Sequence, residues 1–176
     1  MNPLPTVSDP NLCLRILYLN ARSLLSKLDE LRVLCLVNNY DIVCIVESWL
    51  SQDISDSELA ITGYTIFRRD RNRHGGGIII FVKDTLSCTI LPTSTSPSME
   101  FISLIFEFCS SKFCISAFYR PPSSDVSYFD ELFDVIEKLD IVNFCNPTHP
   151  LYSRLTNLCN SFMLTEMCHL QAPQLQ

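Results

Sequence analysis

The chain has 176 residues, of which 47% are hydrophobic and 18% charged, and its formal net charge is -6 at pH 7. This length predicts one domain, or one domain with a tail, and the composition excludes disorder for most of the chain. Since no apolar run reaches the roughly 18 residues that a membrane-spanning helix requires, we expect no membrane segment.

The nine cysteines and the first residues of the chain indicate the compartment. The cysteines are scattered singly, mostly inside apolar runs, which is typical of free, buried thiols in a reducing compartment. Cys145, His149, Cys159 and Cys168 are the nearest candidates for a zinc site, but their spacing matches no C-x-x-C pattern. The first five residues have neither the basic nor the apolar region of a secretory signal. We therefore predict an intracellular protein with reduced thiols, either nuclear or cytoplasmic.

The first elements along the chain predict a strand, a helix and a second strand. Residues 1–11 contain three prolines and are expected to be a disordered lead-in, and the apolar run 13–19 predicts a buried strand. From residue 23 the apolar residues fall at helical spacing, and 42–46 predicts a second buried strand that stops at Glu47. Because a helix joins the two strands, we expect them in one sheet.

The rest of the chain is mainly β in its pattern. An amphipathic helix is predicted at 127–139 and carries Phe129, Leu132 and Phe133 on one face. Further strands are predicted at 63–67, 78–82, 87–91, 99–108 and 112–119, helices at 127–139 and 152–163, one domain over 12–165, and a tail over 166–176.

Polar residues stand at the ends of three apolar strands. Asn20 follows the first strand, Glu47 closes the second, and Tyr119-Arg120 closes a later one. A carboxylate in this position is suited to a hard cation such as Mg²⁺, and Asn and Tyr can donate hydrogen bonds to a phosphate oxygen. The alternative is that each is a capping or solvent-facing residue where a strand emerges.

A basic stretch and a glycine stretch lie between the third and fourth predicted strands. The segment 68–74 is basic in an otherwise acidic chain, which suits contact with phosphates but also an ordinary solvated turn. Gly75-Gly76-Gly77 is not a Walker loop, because a β-branched strand follows it rather than a Lys and a helix. We expect these glycines to allow a close backbone approach or a tight turn.

The order of these motifs resembles the endonuclease/exonuclease/phosphatase superfamily, and within it the apurinic-type endonuclease domain of non-LTR (LINE-like) retrotransposons. The resemblance runs from about Leu14 to Asp140, with a weaker echo over 143–165. The motifs that carry it are Leu19-Asn20-Ala21-Arg22-Ser23-Leu24, Asp41 to Leu50 with Glu47-Ser48-Trp49, Gly63-Tyr64, Phe67-Arg68-Arg69-Asp70-Arg71, Gly75-Gly76-Gly77 and Tyr119-Arg120-Pro121-Pro122.

This resemblance implies an α/β (α+β) fold, a two-sheet αββα sandwich, and Mg²⁺-dependent cleavage of phosphodiester bonds in DNA. By motif match, Asn20 corresponds to the active-site asparagine, Glu47 to the metal-binding glutamate and Tyr119 to the tyrosine that contacts the phosphate. The residues that the resemblance places near the DNA backbone are Arg22, Arg68, Arg69, Arg71, Arg73 and Arg120.

The chain also departs from the family pattern at two motifs. The family's Gly-Asp-Phe-Asn strand is missing after Leu139, where Asp140 and Asn143 are one residue too far apart to replace its Asp and Asn. Nothing after Thr165 matches the family's Ser-Asp-His strand, and neither His149 nor His169 lies in such a context. We therefore expect a truncated domain, with an internal deletion near 140–146, that is inactive alone. The competing interpretations are a non-catalytic remnant, a DNA-binding module, or a phosphoesterase of the same superfamily with another substrate.

Overall fold

The computed structural model describes residues 13–92, 99–109, 111–121, 124–125, 127–138 and 167–171. Within these residues the chain forms two four-stranded sheets, two long helices and two short helical turns. The bounds are Ile16–Asn20 (β1), Leu28–Asn38 (α1, after a 3₁₀ turn at Leu25–Lys27), Ile42–Val46 (β2), Asp56–Leu59 (α2), Tyr64–Arg69 (β3), Ile78–Lys83 (β4), Cys88–Ile90 (β5), Glu100–Phe108 (β6), Ser111–Tyr119 (β7), Ser127–Lys138 (α3) and Met167–Gln171 (β8).

The first sheet has the strand order β1-β2-β4-β3. β1 and β2 are parallel, with Asn20 opposite Val46, whereas β4 is antiparallel to both β2 and β3. The prediction that the first two strands share a sheet is confirmed. Because β1 and β2 run in the same direction, the residues that follow them emerge at the same edge.

The second sheet is antiparallel and has the order β5-β6-β7-β8. Its centre is the predicted hairpin, in which Glu100 at the start of β6 lies opposite Tyr119 at the end of β7. This register places the first residue of β6 and the last residue of β7 side by side.

The two sheets pack face to face, and one helix covers the outer face of each. Every residue of β2 is fully buried, because alternate side chains meet α1 on one side and the second sheet on the other. A third cluster joins α3 to the second sheet through Phe118, Tyr128 and Leu132. The predicted two-sheet αββα sandwich is confirmed.

Two segments differ from the sequence-based boundaries. The helical spacing of the apolar residues starts at residue 23, whereas helix α1 starts at Leu28; Arg22 and Ser23 have φ angles of 44° and 79°, which cannot belong to a right-handed helix. Part of the predicted tail is a strand: Met167–Gln171 pairs with β7 and satisfies the backbone groups of that strand's free edge. The lead-in 1–11, the helix predicted at 152–163 and the segment 140–146 lie outside the described residues.

No helix in the described ranges is long and apolar enough to cross a membrane. Six cysteines of these ranges, Cys13, Cys35, Cys44, Cys88, Cys109 and Cys114, are free, and Cys35 and Cys44 among them are buried. Burial raises the pKa of Cys44 to about 12, which keeps this thiol protonated.

Candidate functional site

The ends of β1, β2 and β7 bring three of the predicted site residues to one edge. Asn20 is exposed at the end of β1, and Glu47 is partly buried directly after β2. Tyr119, at the end of β7, donates a hydrogen bond from its hydroxyl to the Glu47 carboxylate. We call this group of Asn20, Glu47 and Tyr119 the carboxylate edge.

The chain leaves β1 and β2 through unusual backbone conformations. Arg22, Ser23, Glu47 and Trp49 all have φ between 44° and 79°. The two exits are joined by hydrogen bonds, in which the Ser23 N–H donates to the Glu47 carbonyl (3.0 Å) and the Leu24 N–H to the Ser48 carbonyl (2.9 Å). Such conformations persist only where the surroundings hold them, and they are frequent at functional sites. They turn the polar residues out of the strands.

Three donors converge on the side chain of Glu47. The Trp49 indole N–H donates to Oε2, and the Gly76 backbone N–H donates to the same oxygen (3.2 Å), while the third donor is Tyr119. Partial burial alone would raise the pKa of Glu47. The three hydrogen bonds and the charge of Arg71 outweigh it and lower the pKa below its usual value, so the carboxylate is ionised at neutral pH.

The hydroxyl of Tyr119 is held as a donor. The side chain is 7% exposed, and burial, together with the hydrogen bond to Glu47 and its negative charge, raises the pKa of Tyr119 far above its ordinary value. From α3, the Tyr128 hydroxyl donates to the Tyr119 backbone carbonyl (2.5 Å) and fixes the end of β7. Tyr119 therefore stays protonated and oriented at the carboxylate edge.

The glycines before β4 allow a close approach, as the sequence predicts. Gly76 and Gly77 have φ of 70° and 85°, and a Cβ at Gly77 would lie 2.5 Å from Ser48 Oγ. The Gly77 carbonyl accepts a hydrogen bond from the Ser48 N–H (3.1 Å), and the Gly76 carbonyl accepts one from the Trp49 N–H (3.0 Å). Only glycine fits this backbone against the Glu47 loop.

A second carboxylate, Glu100, lies behind these glycines. It is 3% exposed, its Oε1 is 3.2 Å from Arg71 Nη1, and its Oε2 accepts from the Gly77 N–H. Burial raises the pKa of Glu100, although Gly77 and Arg71 oppose this, and the nearby charge of Glu47 raises it further.

Two of the predicted DNA-contacting arginines are tied to the segment before β3. Arg68 is 15% exposed, donates to the Ile54 carbonyl (2.7 Å) and pairs with Asp70 (2.9 Å) and Asp56 (3.2 Å). Arg73 is 56% exposed and pairs with Asp53. We call residues 68–73 the arginine segment. Two of its arginines therefore already have acidic partners away from the carboxylate edge, and Arg71 pairs with Glu100.

The other predicted arginines occupy three different surroundings. Arg69 is half-buried and lines a cavity of about 590 Å³ with Glu100 and Tyr128. Arg120 lies over the Phe129 ring at 4.9 Å. Arg22, in contrast, is exposed in the loop directly after the carboxylate edge.

The oxygen atoms at the carboxylate edge fit a hard cation. Magnesium is typically held by one or two carboxylates and keeps several waters. An ionised Glu47 at the same sheet edge as the exposed Asn20 meets that requirement, although the described ranges contain no group of three or more acidic, His or Cys residues that could form a protein-only cage. These oxygen ligands therefore suit a Mg²⁺ ion that is also bound by a phosphate.

Residues that could activate a water are not among those placed at this edge. Asp140, Asn143 and His149 lie outside the described residues. The backbone of His169 pairs with Ile115, four residues before Tyr119 and therefore about 13 Å along β7 from it.

Three residues of the site were not among the predicted metal-binding, phosphate-contacting or DNA-contacting residues. Trp49 and Gly76 contact Glu47 directly, and Glu100 lies behind them. Glu100 had one available signal, since it is a lone charge at the start of an apolar run. The sequence signal for Trp49 is its position two residues after Glu47.

Comparison with known proteins gives matches among solved structures, while no family model and no curated protein matches the sequence. An AP endonuclease from Archaeoglobus fulgidus aligns with a TM-score of 0.55 at 14% identity, covering 72% of this chain and 52% of that one. The endonuclease domain of TRAS1, a telomere-specific non-LTR retrotransposon, gives 0.55 at 18% identity, with coverage of 72% and 54%. The human Nocturnin catalytic domain gives 0.54 at 16% identity, with coverage of 85% and 69%.

The chain spans about half the length of the first two of these structures. At these identities the likeness concerns the fold. The described residues have an endonuclease/exonuclease/phosphatase-like fold, and the chain resembles the endonuclease domain of a non-LTR retrotransposon in its structure as well as in the order of its motifs.

Proposed function

We propose that the carboxylate edge binds Mg²⁺ together with a phosphate of DNA, as the metal- and phosphate-binding half of a phosphodiester-cleaving endonuclease site. The observation that carries this proposal is the arrangement of Glu47. It is ionised, it is held by three donors, and it stands beside the exposed Asn20 at one edge of the sheet.

Each residue of the edge has a distinct role in this proposal. Glu47 and the side-chain oxygen of Asn20 would hold the cation. When bound, Mg²⁺ would offset the charge that develops on the phosphate oxygens. The amide N–H of Asn20 and the hydroxyl of Tyr119 can donate to the phosphate, and Tyr119 remains a donor because its pKa is raised.

We propose further that this chain by itself binds but does not cleave at a useful rate. The sequence after Leu139 lacks the Gly-Asp-Phe-Asn motif that in the family supplies the residues activating the water. Loss of such groups typically lowers the rate by orders of magnitude.

A role as a general DNA-binding module based on the arginine segment has less support. Three of its arginines have acidic partners within the fold, which leaves less positive charge for a ligand. We therefore favour metal-dependent DNA binding at the carboxylate edge over purely electrostatic DNA binding by the arginine segment.

The test is the binding of a fluorescent DNA oligonucleotide, measured by anisotropy with and without Mg²⁺ at equal ionic strength. We expect Mg²⁺ to increase the affinity and Glu47→Gln to remove that increase, while the Mg²⁺-free affinity of the variant should not fall, because the carboxylate charge that it lacks repels the phosphate when no cation is bound. Glu30→Gln, an exposed change on α1, is the matched control and should behave like the wild type.

If Mg²⁺ gives no increase in the wild type, or if Glu47→Gln retains the full increase, the proposed site is wrong. A plasmid-nicking assay tests the second part. Robust Mg²⁺-dependent nicking by the wild type that Glu47→Gln abolishes would overturn the proposal that this chain does not cleave.

A further inference from the structure

Glu100 is a buried carboxylate whose position needs an explanation. Taking a charge out of water is unfavourable unless partners replace the lost hydration. Both oxygens of Glu100 have such partners, since Oε1 lies 3.2 Å from Arg71 Nη1 and Oε2 accepts from the Gly77 N–H. The partners belong to the segment between β3 and β4, whereas Glu100 begins β6 in the other sheet. The carboxylate therefore links the two sheets at the edge where Glu47 stands.

The glycine backbone lies directly between the two carboxylates. A Cβ at Gly76 would be only 2.4 Å from Glu100 Oε1 and 2.7 Å from its Oε2, so the carboxylate packs against this backbone. From the other side, the Gly76 N–H donates to Glu47 Oε2. The Gly76 carbonyl accepts from the Trp49 N–H. A shift of Glu100 would therefore move the groups that hold Glu47.

Two further connections run from Glu100 to Glu47. Glu100 is the register partner of Tyr119, whose hydroxyl donates to Glu47. Arg71, which pairs with Glu100, also contributes its positive charge at Glu47. The glycine backbone thus contacts both carboxylates, Tyr119 lies opposite Glu100 in the sheet and donates to Glu47, and Arg71 pairs with Glu100 and adds its charge at Glu47.

We propose that Glu100 is a positioning residue for the cation site: it holds Arg71 and the Gly76-Gly77 backbone in place, and through them it orients the Glu47 carboxylate. Glu100 itself does not contact the cation in this proposal, because it is 3% exposed and packs against the Gly76-Gly77 backbone behind Glu47. This inference rests on the proposed function, and it deepens that proposal by adding a residue behind the carboxylate edge.

The chain offers a built-in reporter for this proposal. Trp49 is its single tryptophan, and the indole N–H donates to Glu47. Its emission spectrum therefore reports the state of Glu47 without any metal. A second readout is the dissociation constant of Mn²⁺, measured by the loss of the free-ion EPR signal.

The central variant is Glu100→Gln, which nearly preserves shape but removes the charge that pairs with Arg71. We expect an Mn²⁺ affinity about 10-fold lower than that of the wild type, as is typical when a group behind a metal ligand is changed. We also expect a shifted Trp49 emission in the absence of metal. Glu107→Gln, an exposed change on the same strand, is the matched control and should change neither readout.

Both readouts are taken at a temperature at which circular dichroism shows the variants fully folded. A merely structural role for Glu100 would lower the melting temperature but leave the affinity and the emission of the folded protein unchanged, and that result would overturn the inference. If Glu100→Gln fails to fold, Arg71→Gln replaces it, because this side chain is 42% exposed and is expected to tolerate the change. Unchanged affinity and emission in Arg71→Gln would then overturn the inference.

The two proposals fail in different ways. If wild-type protein binds Mn²⁺ no better than Glu47→Gln does, the proposed function fails. The metal-free Trp49 emission still decides whether Glu100 orients Glu47. If wild type binds Mn²⁺ through Glu47 but Glu100→Gln binds equally well, the positioning role alone is wrong.

Discussion

The carboxylate edge and the arginine segment differ in what surrounds their charged groups. The carboxylate of the first is open to a ligand, whereas three arginines of the second already pair with acidic side chains of the chain itself. Glu47 is held by three donors that help to keep it ionised, and it is only partly buried at the same edge as the exposed Asn20. Arg68, Arg71 and Arg73 have acidic partners inside the fold. A run of like charges in a sequence therefore does not by itself indicate a free binding surface, whereas one carboxylate at the end of a buried strand can be a prepared site.

The largest expected effect concerns the glycine backbone that supports the carboxylate edge. We expect Gly77→Ala to lower the free energy of unfolding by about 2–4 kcal/mol, because a Cβ would lie 2.5 Å from Ser48 Oγ and the φ of 85° disfavours a side chain. Gly75→Ala is the control, since nothing lies within 4 Å of its added Cβ. Urea denaturation measures both changes. Equal effects of the two substitutions would show that the edge does not depend on this close approach.

An effect of similar size separates two arginines of the arginine segment. Arg68→Met should lower the free energy of unfolding by roughly 2–4 kcal/mol, because it leaves the largely buried Asp70 without its cation. Arg73→Met breaks a pair whose side chains are both more than half exposed, so its effect should stay below about 0.5 kcal/mol. Thermal unfolding of the two variants tests this difference. A larger loss in Arg73→Met than in Arg68→Met would contradict the structural role of Arg68.

A smaller effect concerns DNA. Arg22 is exposed beside the carboxylate edge, so Arg22→Ala should weaken oligonucleotide binding and reduce the slope of affinity against salt by about one. Arg73→Ala should change the slope less, because Asp53 already offsets its charge. Anisotropy titrations over a range of salt concentrations compare the two. Equal slopes would mean that the pairing of Arg73 does not matter for binding.

The smallest expected effect is a gain in DNA affinity when Arg73 loses its acidic partner. Asp53→Asn removes the partner of Arg73 without removing the arginine, so DNA affinity should rise by about twofold at low salt. Glu30→Gln, which changes an exposed acidic residue on α1, controls for the change in net charge. If both variants gain the same affinity, the gain comes from net charge and not from the released Arg73.

The sequence predicted the framework of the fold because its signals are local. The uniformly apolar β2, the helical spacing of α1 and the β6–β7 hairpin each depend on a short stretch of chain, and all three are present. The polar residues Asn20 and Glu47 could be expected at one edge because β1 and β2 are parallel. The αββα layers follow from these elements together with the resemblance.

The pairing of charges could not be predicted in the same way. Arg73 and Asp53 are 20 residues apart, and Glu100 meets Arg71 from the opposite sheet. The first contact requires two loops of the first sheet to come together, and the second requires the two sheets to be stacked. The burial of Glu100 also depends on two glycines with left-handed backbone, whose need for space appears only in three dimensions. Part of the segment expected as a tail is a strand for a related reason, since its pairing partner is an edge more than 50 residues away.

The central claim is that Glu47 holds a divalent cation at the carboxylate edge. The direct measurement is an EPR titration of Mn²⁺ into the folded wild type and into Glu47→Gln at neutral pH. We predict one site in the wild type and an affinity at least about 10-fold lower in Glu47→Gln, because the ionised carboxylate is the main ligand that the chain supplies there. Equal Mn²⁺ affinity of the two proteins would contradict the account.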